Sequence, residues 1–229
     1  MRVGSSGFFP VCLCTAGKRC LVVGGGRVGE RKVKDALAAG YRVLLVSPDA
    51  TPELQRMAAA GEVSWRVRPF CPRDLENVHL CFVATGGGGE EIALAARRAG
   101  VMVNVVDKPQ LSDFVSPAVW RQGGVTVAVS TSGASPALAA RIRDRVAGIV
   151  GPEAGEWAEM LARFRQQIRK ACPAGEKRQE LLRRAAALEG EAMLAGGQRA
   201  QLEEMLKEML EEIAGEAAGD EGSNGRGEG

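Results

Sequence analysis

The chain has 229 residues, 45% hydrophobic and 25% charged, with only 4% aromatic residues and 30 glycines. That is the balance of a globular protein with an aliphatic core and many tight turns. A formal net charge of +2 excludes a nucleic-acid-coating protein, and no apolar run approaches the roughly 18–20 residues of a membrane helix.

The first apolar stretch, Phe8-Phe9-Pro10-Val11-Cys12-Leu13-Cys14, is short, holds a proline and has no A-x-A-like cleavage site, so it does not read as a signal peptide. The six cysteines form no C-x-x-C pair, and Cys20 and Cys81 fall inside apolar runs, as reduced thiols acting as small hydrophobes do. Both features predict a cytoplasmic chain. Cys20 to Val23 reads as a buried strand, and Gly24-Gly25-Gly26-Arg27-Val28-Gly29 opens a helix that stops near Gly40. A second buried strand covers Arg42 to Val46, and Thr51 ahead of Pro52 reads as a helix N-cap. Val63 to Arg68 alternates like an edge strand, His79 to Ala84 and Val101 to Val106 are further strands, and Glu90 to Ala99 is a helix. Strands separated by helices of this length predict a parallel sheet, an α/β unit of the Rossmann kind, over residues 1–112.

The pattern then changes. Asp113 to Arg121 and Val125 to Ser130 are strand-like and joined by a Gly-Gly turn, and an amphipathic helix follows from about Ala137 to Val150, giving a small strand-containing region over 113–150. From Glu153 the chain reads as helical to residue 214, with Trp157, Met160, Leu161 and Phe164 on one face and Leu202, Met205, Leu206, Met209, Leu210 and Ile213 on another. Residues 215–229 have no apolar face and are expected to be disordered.

The chemistry starts at Gly24-x-Gly26-x-x-Gly29, which stands between a strand and a helix. In a dinucleotide fingerprint the first glycine permits the turn, the second lets backbone approach a pyrophosphate, and the third allows helix–strand packing, with the phosphates on the helix N-terminus. The second strand ends Ser47-Pro48-Asp49, candidate cofactor contacts, where Asp49 either binds a ribose or caps the next helix. The absence of an arginine directly after it leans towards NAD over NADP. At the carboxyl edge of the sheet, where ligands bind in such folds, stand Thr85 with the run Gly86–Gly89, Asn104 and Asp107. Asp107 either accepts a proton or stabilises the turn before Pro109, and by pattern alone the turn is favoured. His79 has no metal-ligating neighbour in sequence and reads as a hydrogen-bonded core residue. Ser130, Thr131 and Ser132 precede a helix and either bind an anion or cap it. Arg121, Arg141, Arg143 and Arg145 suit a polycarboxylate, or are a solvated face.

The run from Phe9-Pro10-Val11 through Gly24–Gly29 to Arg31-Lys32, together with Asn104-Val105-Val106-Asp107, Asp113-Phe114-Val115-Ser116-Pro117-Ala118 and Val127 to Pro136, resembles in order the motifs of the precorrin-2 dehydrogenase/sirohydrochlorin ferrochelatase family, which includes the N-terminal module of siroheme synthase. The resemblance implies a Rossmann domain, a dimerisation region and a helical domain in a homodimer, NAD-dependent oxidation of precorrin-2 to sirohydrochlorin, and in many members Fe2+ insertion. It makes Asp107 the essential proton acceptor, assigns NAD to Gly26, Arg27, Val28 and the Pro48–Asp49 turn, and brings Ser130 to Ser135 towards the tetrapyrrole, whose carboxylates the basic residues of 113–150, Arg141 among them, would suit. Where family members often carry acidic residues, this chain has Gly86–Gly89. The alternative from another class is a nucleotide-sensing Rossmann module without chemistry, which would need the glycine loop but no proton acceptor.

Overall fold

The computed structural model describes the backbone of residues 8–221 and the side chains of residues 8–212. Two compact units follow one another, Met1–Ser116 and Pro117–Gly229.

The first unit is a five-stranded parallel sheet of β1 (Arg19–Gly25), β2 (Arg42–Ala50), β3 (Ser64–Arg66), β4 (Leu80–Val83) and β5 (Met102–Val105), in the order β3-β2-β1-β4-β5. Helices α1 (Arg27–Ala38), α2 (Pro52–Ala59) and α3 (Gly89–Arg98) make the crossovers. The order reverses at β1, which leaves a crevice beyond the carboxyl ends of β1 and β4. Strands β1 and β4 are apolar on both sides because both sheet faces are covered. One layer packs Leu21, Val46, Cys81, Val103 and Ile92, and the other packs Val22, Val33, Leu45, Leu54 and Phe82.

Segments lacking hydrophobic periodicity close this unit. Asp74 is fully buried in a 3-10 turn (Pro72–Leu75), where it pairs with Arg66 and accepts from Arg68 at 2.6 Å and from the Cys71 N–H at 2.9 Å. Burial alone would raise its carboxyl, but the bonds from Arg68, the Cys71 amide and Arg66 outweigh it and hold it well below the usual carboxylate range. A lowered folded value adds stability above the unfolded carboxylate pKa of about 4, and that stability is lost as the pH falls below it. Asp74→Asn is therefore expected to cost about 2–3 kcal/mol at neutral pH and to flatten the acid limb of a urea-midpoint profile. An unchanged midpoint would refute this.

Residues 113–116, expected to open the following region as a strand, instead pack on the first unit. Asp113 Oδ2 accepts from the Val103 N–H at 3.0 Å, its own N–H donates to the Val103 carbonyl at 2.8 Å, and the Val105 N–H donates to Ser112 Oγ at 2.9 Å. The outward backbone groups of β5 are thus met by the returning segment. Lys32 of α1 is buried, with its ammonium 3.0 Å from Ser116 Oγ and 5.1 Å from the centre of the Phe82 ring, which in turn meets Phe114 edge-on. Burial lowers the Lys32 ammonium from its ordinary range.

In the second unit, β6 (Ala118–Gln122) and β7 (Val125–Val129) form an antiparallel hairpin, with α4 (Pro136–Val150) against both strands. Then come α5 (Glu153–Ala171), α6 (Glu176–Ala186), α7 (Gly190–Ala195) and α8 (Arg199–Glu221). Trp157, Met160, Phe164, Ile168, Leu181, Leu202, Leu206 and Met209 form their core. The helix α8 carries the backbone to Glu221, so residues 215–221, expected to be disordered, are helical. Residues 222–229 and the Ile213 side chain lie outside the described residues. Among the described residues no helix is long and apolar enough to cross a membrane.

Candidate active site

The site begins where β1 runs into α1. Gly24 has φ +109°, and a Cβ there would stand 2.4 Å from the Ala84 carbonyl oxygen; both features require glycine. A Cβ on Gly29 would stand 1.9 Å from the Gly24 carbonyl oxygen, so this glycine sets how closely α1 approaches the loop. Gly26 is different: it is exposed, has φ −75°, and its added Cβ would meet nothing within 4 Å. The open cradle therefore lies over Gly26, beside exposed Arg27 and Val28. Gly26 caps α1 without a side chain, so the N–H groups of the first helical turn and the positive helix end face that space. This cradle, which a Cβ would fill, fits a dinucleotide pyrophosphate.

The end of β2 divides into two roles. Ser47 is buried, and its Oγ accepts from the Gly25 N–H at 2.9 Å, so this predicted cofactor contact holds the glycine loop instead. Pro48 and Asp49 are exposed beside it. Asp49 does not cap the next helix: Thr51 Oγ1 accepts from the Leu54 N–H at 3.3 Å and donates to Glu30 at 2.7 Å. The Asp49 carboxylate stays exposed at the expected ribose position.

Beyond β4, Thr85 is exposed, but its hydroxyl donates to the Gly87 carbonyl at 2.7 Å and staples the glycine run. Gly86 and Gly87 stand in open space, while a Cβ on Gly89 would press Val105 at 2.9 Å. Asn104 is buried, and its Nδ2 donates to the Phe114 carbonyl at 2.9 Å, which makes it a bridge from β5 to the returning segment.

Asp107, two residues past β5, has φ +62°, the left-handed region. Its side chain is exposed and has no hydrogen bond or ion pair among the described residues. The turn it was expected to stabilise is closed by others: the Lys108 N–H donates to the Val105 carbonyl at 3.1 Å, and Ser112 Oγ lies 3.1 Å from the Lys108 carbonyl. A carboxylate on left-handed backbone at the carboxyl edge of β5, unpaired among the described residues, is open to a ligand. His79 is exposed just before β4 and accepts from the Arg19 N–H at 3.4 Å, so it is hydrogen-bonded as expected but not in the core. The Asx and Ser side chains that close the first unit, Asp74, Ser112 and Asp113, carry no signal in hydrophobic periodicity.

In the second unit the hydroxyl-rich loop mostly serves its own turn. Ser135 Oγ caps α4 through the Leu138 N–H at 3.2 Å, Thr131 Oγ1 accepts from the Ser135 N–H at 3.0 Å, and Ser130 Oγ accepts from the Ser132 N–H at 3.2 Å. Ser132, at φ +53°, and Arg141 are exposed. A separate cleft of about 510 Å³, lined among others by Glu153, Glu156, Arg163 and Arg199, includes none of these residues.

Residues 11–118 match a family of NAD(P)-binding domains, and residues 122–148 match the central segment of sirohaem biosynthesis proteins. Siroheme synthase of Methylococcus capsulatus is 37% identical over 187 residues, covering 81% of this chain and 39% of that protein. Siroheme synthase of Chromobacterium violaceum is 33% identical over 203 residues, covering 86% of this chain and 43% of that protein. The chain thus spans about two-fifths of the length of these curated relatives. Among solved structures, SirC, a precorrin-2 dehydrogenase, has the same fold: TM-score 0.66 at 24% identity, over 90% of this chain and 99% of that one.

Proposed function

The chain belongs to the siroheme-synthase family through its NAD(P)-binding and central segments, and on that premise we propose that it oxidises precorrin-2 to sirohydrochlorin with NAD+. The observation that carries this reading is the exposed Asp107 carboxylate, unpaired among the described residues and held in left-handed backbone past β5, on the same sheet whose β1 leads into the dinucleotide cradle. A sensor module has no use for such a group.

When bound, NAD+ supplies the hydride acceptor, so precorrin-2 gives up two hydrogens, one as hydride and one as a proton, and NADH and sirohydrochlorin result. The chain's own residues do the rest. The first turn of α1 and Gly26 hold the pyrophosphate, Asp49 accepts from ribose hydroxyls, and Ser47 and Gly29 keep the loop in register. Asp107 takes the proton at its carboxylate. Its acceptor-only character also suits the two pyrrole protons released if Fe2+ enters sirohydrochlorin as a second substrate. Ser132 and Arg141 are exposed groups of the second unit suited to the substrate's carboxylates, and Arg121 and Arg145 are exposed as well.

The test is an anaerobic incubation of the protein with precorrin-2 and NAD+, following NADH and sirohydrochlorin together, with Fe2+ added in a second stage. Equal appearance of both products supports the dehydrogenase, and loss of free sirohydrochlorin to a metal complex faster than without protein supports chelation. A protein that binds NAD+ and makes neither product is a sensor.

The proposed 113–150 region would act as the dimerisation region and 151–214 as a helical domain. Two-stranded hairpins are marginal alone, and this one leaves Val119, Trp120, Val125 and Val127 half-buried. On α4, Leu138, Ile142 and Ile149 follow one another at helical spacing and are exposed, Ile149 by 82%. A second copy would cover them. Sedimentation is expected to give twice the chain mass at micromolar concentration, and Ile142→Asp with Ile149→Asp to give the single chain. A monomeric wild type would refute the dimer.

A further inference from the structure

Among the described residues the Asp107 carboxylate has no side-chain partner, so its direction depends on the backbone that carries it. On the strand side, the Val106 N–H donates to the Val83 carbonyl at 3.0 Å. Beyond that, one hydroxyl grips both flanks of the residue. Ser112 Oγ accepts from the Val105 N–H at 2.9 Å and lies 3.2 Å from the Val105 carbonyl oxygen and 3.1 Å from that of Lys108, to one of which its proton is donated. The Lys108 ammonium reaches Glu90 at 2.6 Å, but both side chains are exposed and such a pair holds little. Left-handed backbone at a non-glycine residue persists only where its surroundings over-determine it, and at Asp107 Ser112 is the side chain that does so. Without the hydroxyl, the Val105 N–H loses its acceptor, and the turn at Asp107 is held by the bonds from the Lys108 N–H to the Val105 carbonyl and from the Leu111 N–H to the Lys108 carbonyl, which leaves it looser.

We propose that Ser112 is a positioning residue for the reaction, clamping Val105 and Lys108 so that Asp107 keeps its left-handed conformation and its carboxylate faces the crevice. This rests on the reading of Asp107 as proton acceptor. A misplacement of about 1 Å at a reacting group is enough to cost about a hundredfold in rate, which sets the scale of the effect.

The experiment compares Ser112→Ala, Ser112→Cys, Ser112→Thr, Asp107→Asn and the Ser112→Ala/Asp107→Asn pair by kcat and KM for precorrin-2, Kd for NAD+, melting temperature and amide exchange at Val105. Ser112→Ala is expected to lower kcat about 10- to 100-fold with KM and Kd little changed and Val105 exchanging faster. Ser112→Thr, which keeps the hydroxyl, should recover most of the rate. The double variant should be no slower than Asp107→Asn, because a group that acts through another adds nothing once that other is gone. Should Ser112→Ala melt below the assay temperature, Ser112→Cys keeps the packing with a much weaker hydrogen-bonding group and carries the same comparison. Wild-type kcat in the alanine or cysteine variant alongside an inactive Asp107→Asn overturns the role of Ser112 and leaves that of Asp107 standing. Losses that multiply in the double variant also overturn it. A fully active Asp107→Asn overturns the reading of Asp107, and the inference with it.

Discussion

Asp107→Asn is expected to slow precorrin-2 oxidation about a hundredfold to ten-thousandfold, the usual worth of a general base, while leaving the fold and NAD+ affinity intact. Asparagine is the informative replacement. It has the same size, cannot accept the proton, and tolerates left-handed backbone as aspartate does. Alanine removes the carboxylate too, but at φ +62° it adds a backbone cost of about 1–2 kcal/mol, so a lost activity would mix two causes. Glycine is the complementary control, since it relieves the strain and removes the base. Urea midpoints for the asparagine variant should match wild type within about 0.5 kcal/mol, and stopped-flow NADH formation should show the defect in kcat. If Asp107→Asn turns over at the wild-type rate, the proton leaves by another route and Asp107 is a turn residue.

The glycine loop yields the second large effect, as a contrast between two alanines three positions apart. Gly29→Ala drives a methyl to 1.9 Å from the Gly24 carbonyl oxygen. Backbone cannot give way there as a side chain would, so α1 must move off β1, at about 1–3 kcal/mol, and the cradle moves with it. Gly26→Ala meets no protein atom within 4 Å and sits at ordinary backbone angles, so its stability should stay within about 0.5 kcal/mol of wild type. Its methyl stands where a pyrophosphate has to approach, and the Kd for NAD+ should rise tenfold or more. Urea melts and a fluorescence titration separate the two. Equal destabilisation by both, or unchanged NAD+ binding by Gly26→Ala, would remove the loop from the cofactor site.

Much of the first unit was legible because its information is periodic. Apolar runs at Leu21–Val23 and Leu44–Val46 and the Gly24–Gly29 spacing name the strands, the turn and the crevice without any structure. What stayed hidden depends on side chains bonding to backbone across sequence. Asp113 reads as the start of a strand because Phe114 and Val115 follow it, whereas it bonds to Val103, and Ser112 before it bonds to Val105. Nothing local announces that Phe82 and Ser116 enclose Lys32. Ser47 was read as a ligand contact for its place at the end of β2; its burial and its bond to Gly25 follow from the loop's return over that strand. For Asp107, pattern alone favoured the turn, since Asp before Lys-Pro is an ordinary turn signal. What the sequence does not show is the positive φ and the carboxylate left unpaired among the described residues.

The returning segment has one more effect, on encounters with other polypeptides. At β5 the N–H and carbonyl of Val103 meet Asp113, and those of Val105 meet Ser112. An open strand edge offers a repeating row of donors and acceptors that any extended chain can copy. Here that row is answered by two side chains and one backbone N–H, so a foreign strand finds no free register to join. The same few residues that end the sheet at five strands therefore keep nascent or heat-loosened copies from stacking edge to edge on this side.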